Sequence, residues 1–168
     1  MSSPASITLS IRKMEESDIQ PVIALDRQSF SLPWPERAFH YEVEKNAASR
    51  CWVAELNDVA KATVLVGMIV VWLILDEVHI ATLAVNPTFR QHHIGQRLLA
   101  HTLINAVDLG AKKAFLEVRK GNLAARELYR KFGFIEVGVR HWYYQDNRED
   151  AVLMNLEELD KDRLISLQ

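Results

Sequence analysis

The chain opens on alternation. Ile7, Leu9 and Ile11 take every second position with polar residues between them, which predicts a strand with one buried face. Ser17-Asp18-Ile19-Gln20 then forms a capping-box pattern ahead of Pro21, and Ile19, Val22 and Ile23 supply an apolar face, so a helix is expected to end near Phe30. Ser31-Leu32-Pro33-Trp34-Pro35 cannot continue it, because each proline removes a donor and turns its predecessor toward extended geometry. A stiff loop is expected there, followed by a second helix with Phe39 and Val43 facing inward; Trp34 is either a pocket wall or a packing anchor. Apolar runs at Arg50 to Glu55, Ala62 to Val71 and Glu77 to Val85 read as strands, joined by polar turns at Asn57-Asp58 and near Asp76, which favours antiparallel neighbours. The stretch Ala62 to Leu75 is one long strand or a buried pair, and Gly67 within it marks a bulge or a close backbone approach.

Thr82 to Val85 reads as a buried strand broken by Asn86-Pro87, and from Gly95 the residues Leu98, Leu99 and Leu103 recur at helical spacing until Gly110 caps the helix. Ala114 to Val118 is the next strand, and the crossover through the helix makes it a parallel partner of Thr82 to Val85. A helix from Asn122 to Phe132 carries Ala125, Leu128, Tyr129 and Phe132 on one face, with Gly133 ending it. Strands at Phe134 to Val139 and Ala151 to Leu156 follow. The expected organisation is one domain over residues 1–156 and a polar tail, 157–168, that could close as a loose helix.

Composition narrows the function classes. The 168 residues are 49% hydrophobic, enough for one sizeable core, and a net charge of −2 offers no polybasic footprint for nucleic acid. The longest apolar run is shorter than the roughly 20 residues of a spanning helix, so no membrane partner is expected. Met1 to Ser10 has no secretory pattern and Cys51, in an apolar run, is the lone cysteine, which together point to the cytoplasm and to a structural thiol.

Between strand and helix lies Arg90-Gln91-His92-His93-Ile94-Gly95. A loop feeding a helix N-terminus aims unpaired N–H groups and the positive end of the helix dipole at one point, an anion site that fits a pyrophosphate. His92 and His93 have no cysteine or carboxylate at ligand spacing, so no metal is expected. Downstream stands Leu116-Glu117-Val118-Arg119, then Asn122, Ala125, Leu128, Tyr129 and Gly133-Phe134.

These two segments resemble the GCN5-related N-acetyltransferases (GNAT), whose loop pattern is Gln/Arg-x-x-Gly-x-Gly/Ala; Arg90, Ile94 and Gly95 match, and His93 departs from it. The likeness is strongest from Glu77 to Phe134 and is nearest to the RimI type of ribosomal-protein N-terminal alanine acetyltransferases. Phe30-Ser31-Leu32-Pro33-Trp34 resembles their first interhelical loop, and Arg140-His141-Trp142-Tyr143-Tyr144 with Arg148-Glu149-Asp150-Ala151 their C-terminal hairpin. The resemblance implies an α/β fold, a single mixed and mostly antiparallel twisted sheet flanked by about four helices, with a central splayed parallel strand pair. It implies acetyl-CoA as co-substrate, held by the backbone of Leu83, Ala84 and Val85, the loop amides of Gln91, His92, His93, Ile94, Gly95 and Gln96, and Asn122. It implies Glu117 as general base and Tyr129 as the acid facing the thiolate, with His79 assisting. Leu32, Pro33, Tyr143 and Tyr144 would line the acceptor path.

Residue chemistry is compatible with these roles and with plainer ones. Glu117 shares a strand face with Phe115, and is either a base in a cleft or a surface carboxylate paired with Arg119 or Lys113. Tyr129 follows Asn122 by two helical turns, so both can face one ligand, and a phenol with pKa about 10 can donate to a thiolate; a core tyrosine is the alternative. His79 shares parity with Ala81, Leu83 and Val85, and His93 belongs to a residue type that tolerates positive φ. The expected activity is acetyl transfer from acetyl-CoA to the free α-amine of a protein N-terminus, by a monomer or weak dimer. Lysine or a small amine as acceptor, or a silent acyl-CoA-binding module, remain as alternatives.

Overall fold

In the computed structural model, which describes residues 7–58 and 62–168, seven strands form one sheet: β1 (Ile7–Lys13), β2 (Ser49–Asp58), β3 (Val64–Ile74), β4 (Glu77–Val85), β5 (Lys113–Arg119), β6 (Ile135–Arg140) and β7 (Ala151–Leu156). Their spatial order is β1-β2-β3-β4-β5-β7-β6, antiparallel throughout except for β4 and β5. The run after Ala62 is a single long strand. Asn57 and Asp58 lie inside β2 rather than in a turn, and the connection that follows them lies outside the described residues.

Helices cover both faces. α1 (Ile19–Ser29) and α2 (Glu36–Glu44) enclose one cluster with Met14, Phe39, Val53, Met68 and Ala84. α3 (Ile94–Asp108), α4 (Leu123–Phe132) and the short α5 (Lys161–Ile165) enclose the larger cluster, in which Leu98, Leu99, Leu103, Phe132 and Phe134 are fully or almost fully buried. Each such side chain contributes about 1.5–3 kcal/mol of transfer free energy. The segment after Leu156 is less loose than its charge suggests: Asp160 caps α5, and Leu159 and Leu164 enter the main core. No described helix is long and apolar enough to cross a membrane.

The entry to α1 corrects the sequence reading. The reciprocal cap is made two residues earlier, where the Asp18 carboxylate accepts from the Glu15 N–H at 2.8 Å, because a 3-10 turn at Glu16–Asp18 precedes the helix. Asp18 is also gripped by the two terminal nitrogens of Arg12 at 2.7 and 2.8 Å.

Two irregularities reshape the centre. The β2–β3 register slips opposite Ala54 and Glu55, beside Gly67, where an added Cβ would stand 2.8 Å from Leu98 Cδ1 and 3.3 Å from the Ala84 carbonyl. Sequence left a bulge or a close approach open, and both are present. The β3–β4 register slips so that Val70 faces Thr82 while Val71 faces Ile80, leaving Ala81 as an extra residue. A bulge reverses side-chain parity. Val78 and Ile80 therefore share the main core with Leu83 and Val85, and His79 does not share the face of those last two, as simple alternation predicts. Parallel pairing is likewise confined to Glu77–Ile80 against Lys113–Leu116, so Thr82 to Val85, expected to pair with β5, instead diverges from it.

Gly67→Ala is expected to destabilise the fold by about 1–3 kcal/mol, since Leu98 is fully buried and cannot swing aside; an unchanged urea midpoint would refute the close-approach account. The Arg12 hydrogen bonds hold Asp18 below the usual carboxylate range. A depressed carboxylate stabilises the fold fully above its unfolded value of about 4 and loses that contribution as pH falls through the folded value. The stability gap between wild type and Asp18→Asn should therefore narrow between pH 7 and pH 3 in urea titrations, and a constant gap would exclude it.

Candidate active site

The loop after β4 is built by backbone. Asn86 accepts from the Thr88 N–H at 3.0 Å to close a 3-10 turn at Pro87–Phe89, and Arg90 Nε donates to the Val85 carbonyl at 3.4 Å, tying the loop to the strand it leaves. Gln91 and His93 then adopt φ of 65° and 58°, a region that L side chains enter at a cost. His93 fits the family's glycine position conformationally, and its left-handed turn points the chain into α3. None of the N–H groups from Gln91 to Gln96 finds a protein acceptor among the described residues. That leaves the loop as a cradle of free N–H groups, where the sequence reading expects an anion site. It opens onto a groove of about 740 Å³ lined by Leu83, Ala84, Val85, the loop, and α4 from Ala124 to Lys131.

His92 is the exception within the loop. Its Nδ1 lies 2.9 Å from the Arg90 carbonyl, and it lines a neighbouring cavity with Arg97 and His101 instead of the groove.

Where β4 and β5 part, a cavity of about 180 Å³ passes between them. Its walls are Ile80 to Leu83 on one strand and Glu117 to Arg119 on the other, with Asn122 and Tyr129 of α4 below and Leu32, Trp34 and Tyr144 above. Asn122 and Tyr129 are shared with the groove. Asn122 spends its carbonyl oxygen on the Ala125 N–H at 3.2 Å, as the cap of α4, which leaves its amide N–H groups for a ligand. Tyr129 is buried, and burial pushes its phenol well above the usual value. The phenol therefore stays protonated at neutral pH.

Glu117 and Tyr144 are shared with an outer cavity of about 570 Å³ that also takes in His79, Phe115, Arg140 and Tyr143. Glu117 is paired with Arg140 at 3.2 Å and not with Arg119 or Lys113, the partners weighed from sequence. Hydrogen bonding toward Glu117, then burial, raises the Tyr143 phenol, and burial takes Tyr144 up to about 12. His79 sits at the far wall, 3.1 Å from Glu77 and stacked on Phe115, while Pro33 stays outside the cavity wall that its neighbours Leu32 and Trp34 form. Trp34 fills both roles considered for it, since it also packs on Phe39 with ring centroids 5.3 Å apart.

Sequence reasoning missed Arg140 and Arg119. Arg119 lies over the Tyr144 ring, 3.9 Å from its centroid, and bonds to partners as far as 88 residues away, a pairing that no local pattern signals. Among the described residues no cluster of three or more His, Cys, Asp or Glu could hold a metal ion.

Residues 19–134 match the model of the acetyltransferase (GNAT) family. The chain is 32% identical over 145 residues to a provisional ribosomal protein bS18-alanine N-acetyltransferase of Bacillus subtilis (strain 168), covering 86% of this chain and 93% of that one. It is 30% identical over 149 residues to the ribosomal protein bS18-alanine N-acetyltransferase of Escherichia coli (strain K12), covering 88% and 96%. The crystal structure of the ribosomal-protein-S18-alanine N-acetyltransferase from Escherichia coli aligns with a TM-score of 0.79 at 27% identity, over 91% of this chain and 95% of that one. Arabidopsis thaliana NAA60 in complex with acetyl-CoA shares the fold, with a TM-score of 0.79 at 20% identity over 89% and 98% of the two chains. The cradle, the parted strands and the cavity between them thus have a common explanation: the chain belongs to the GNAT family and is an acetyl-CoA-dependent N-acetyltransferase.

Proposed function

We propose that the acetyl group passes from acetyl-CoA to the free α-amine of a protein N-terminus, of the ribosomal-protein type for which the two curated relatives are named. The observation that carries this reading is the central cavity, which shares Asn122 and Tyr129 with the cofactor groove and Glu117 and Tyr144 with the outer cavity. Cofactor and acceptor thereby approach one point from opposite faces of the sheet. The amides of Gln91 to Gln96 hold the pyrophosphate, while the backbone of Leu83 to Val85 and the free amide of Asn122 hold the pantetheine arm.

The amine nitrogen attacks the thioester carbonyl, the C–S bond breaks, and the electron pair leaves on sulfur. Glu117 takes the proton from the new C–N centre, directly or through water. Tyr129 donates a hydrogen bond to the departing thiolate. A free phenol already lies above a thiol of pKa about 8.5, and burial raises this one further, so hydrogen-bond donation describes its role better than full proton transfer. His79, held by Glu77 and Phe115, can order water on the acceptor side. Leu32, Tyr143 and Tyr144 flank the incoming peptide, with Pro33 stiffening the loop behind Leu32.

Glu117→Gln and Tyr129→Phe should each lower kcat by about 10²-fold or more, the range for a positioned proton-transfer or oxyanion group, while calorimetric affinity for acetyl-CoA stays near wild type. Thiol release at wild-type rate in both variants would exclude these roles.

An α-amine of pKa near 8 is neutral at pH 7 far more often than a lysine of pKa near 10.4, a difference of roughly 3 kcal/mol. A single carboxylate suits the easier nucleophile. Mass spectra of acetylated peptides should therefore place the group on the N-terminus, and Tyr144→Ala should weaken peptide use more than acetyl-CoA binding. Acetyl found chiefly on internal lysines would favour the lysine acceptor instead.

A further inference from the structure

We propose that Arg119 is a positioning residue that clasps the two lips of the acceptor channel together. The proposal rests on the reading of the outer cavity as the acceptor path. One lip is the loop after α1, which presents Leu32 and Trp34; the other is the loop between β6 and β7, which presents Tyr144. Arg119 ends β5, two residues beyond Glu117 and on the same strand face, at the point where β5 has parted from β4.

Its guanidinium serves both lips at once. Nη2 bonds the Asp146 carboxylate at 2.9 and 3.1 Å and the Ser31 hydroxyl at 3.3 Å, and Nη1 bonds Glu149 at 3.1 Å and Asn147 at 3.2 Å. The Ser31 hydroxyl donates to Asp146 at 2.6 Å, joining residues 115 positions apart across the channel mouth. The flat face of the guanidinium supports the Tyr144 ring. Glu149 also accepts from the Gly121 N–H at 2.7 Å, which fixes the cluster to the turn that leads into Asn122 and α4.

Isolated surface ion pairs contribute little. Here the three charged side chains are only 20–23% exposed, and each guanidinium N–H in use has an acceptor at hydrogen-bond distance. The far lip also needs such support. Trp142 and Arg148, near its two ends, sit at φ of 56° and 58°, and non-glycine residues keep that conformation only where their surroundings impose it. Lysine could match the charge of Arg119 but neither the fork that reaches both carboxylates nor the flat surface under Tyr144.

Arg119→Lys and Ser31→Ala, the second removing only the link across the mouth, are tested in steady-state kinetics with acetyl-CoA and a peptide bearing a free N-terminus. Arg119→Lys should raise the peptide KM about tenfold or more and Ser31→Ala by a smaller factor, with kcat and the calorimetric acetyl-CoA affinity within about twofold of wild type. A peptide KM unchanged in Arg119→Lys, or one that rises in step with loss of acetyl-CoA affinity, overturns the clasp. Hydrogen exchange supplies a readout independent of turnover: the amides of Ser31, Leu32 and Trp34 and those of residues 141–150 should exchange faster in Arg119→Lys, and unchanged exchange also overturns it. A wild type that binds acetyl-CoA but acetylates no peptide defeats the acceptor reading instead, and exchange alone then decides whether Arg119 holds the two loops.

Discussion

The loss of backbone pairing between β4 and β5 beyond Ile80 and Leu116 is the constraint on which the site depends. Two parallel strands that stay paired leave no passage through a sheet. Here the bulge at Ala81 turns β4 just where pairing ends, and β5 keeps its bonds to β7 on the other side, so the opening costs only one edge of each strand. Backbone groups on those edges need partners when buried, and an extended ligand with its own amides can replace the missing strand. Because α3 follows β4 and α4 follows β5, both helices begin at the end of the sheet where the strands diverge. The start of α3 brings unpaired N–H groups to this crevice and the cap of α4 brings the Asn122 amide, at the usual ligand position of an open α/β sheet.

The opening separates two chemical environments. On the side of α3 and α4, Tyr129 is enclosed by the main core and kept neutral by desolvation. On the other side, Glu117 stands among Arg140, Tyr143 and Tyr144 in the outer cavity. Burial acts on Tyr129 and keeps its phenol protonated, while Glu117 lies beside the Arg140 guanidinium on the more open side.

Much of this was legible in the chain. β4 was read with the bounds the structure has, because its alternation is bounded by a turn at Asp76 and by Asn86-Pro87. The cradle and the Asn122–Tyr129 face follow from local spacing. What escaped depends on long-range register. Ala81 carries no mark of a bulge, so the parity of His79 was misassigned; the cap at Glu15 depends on a 3-10 turn that Ser17 obscures; and Leu159 and Leu164 are too sparse to betray a packed helix within a charged tail. The partners of Arg119 are brought together by folding alone, since they come from loops 27 to 88 residues distant in sequence.

The strain in the cradle has a structural source of support. Gln91 and His93 in left-handed geometry cost of order 1–3 kcal/mol each, which the loop itself cannot recover because its amides are left without acceptors. Support comes from behind. Ile94 and Leu98, the first apolar residues of α3, press onto β3 where Gly67 has no side chain, their methyls within 3.2 and 2.8 Å of where a Cβ would stand. That contact holds the start of α3 against the sheet, and the Arg90 bond to Val85 holds the other end of the loop to β4. With both ends anchored, the chain between them has few conformations left. Its unpaired N–H groups are therefore held together in advance, and ordering them would cost little on binding an anion.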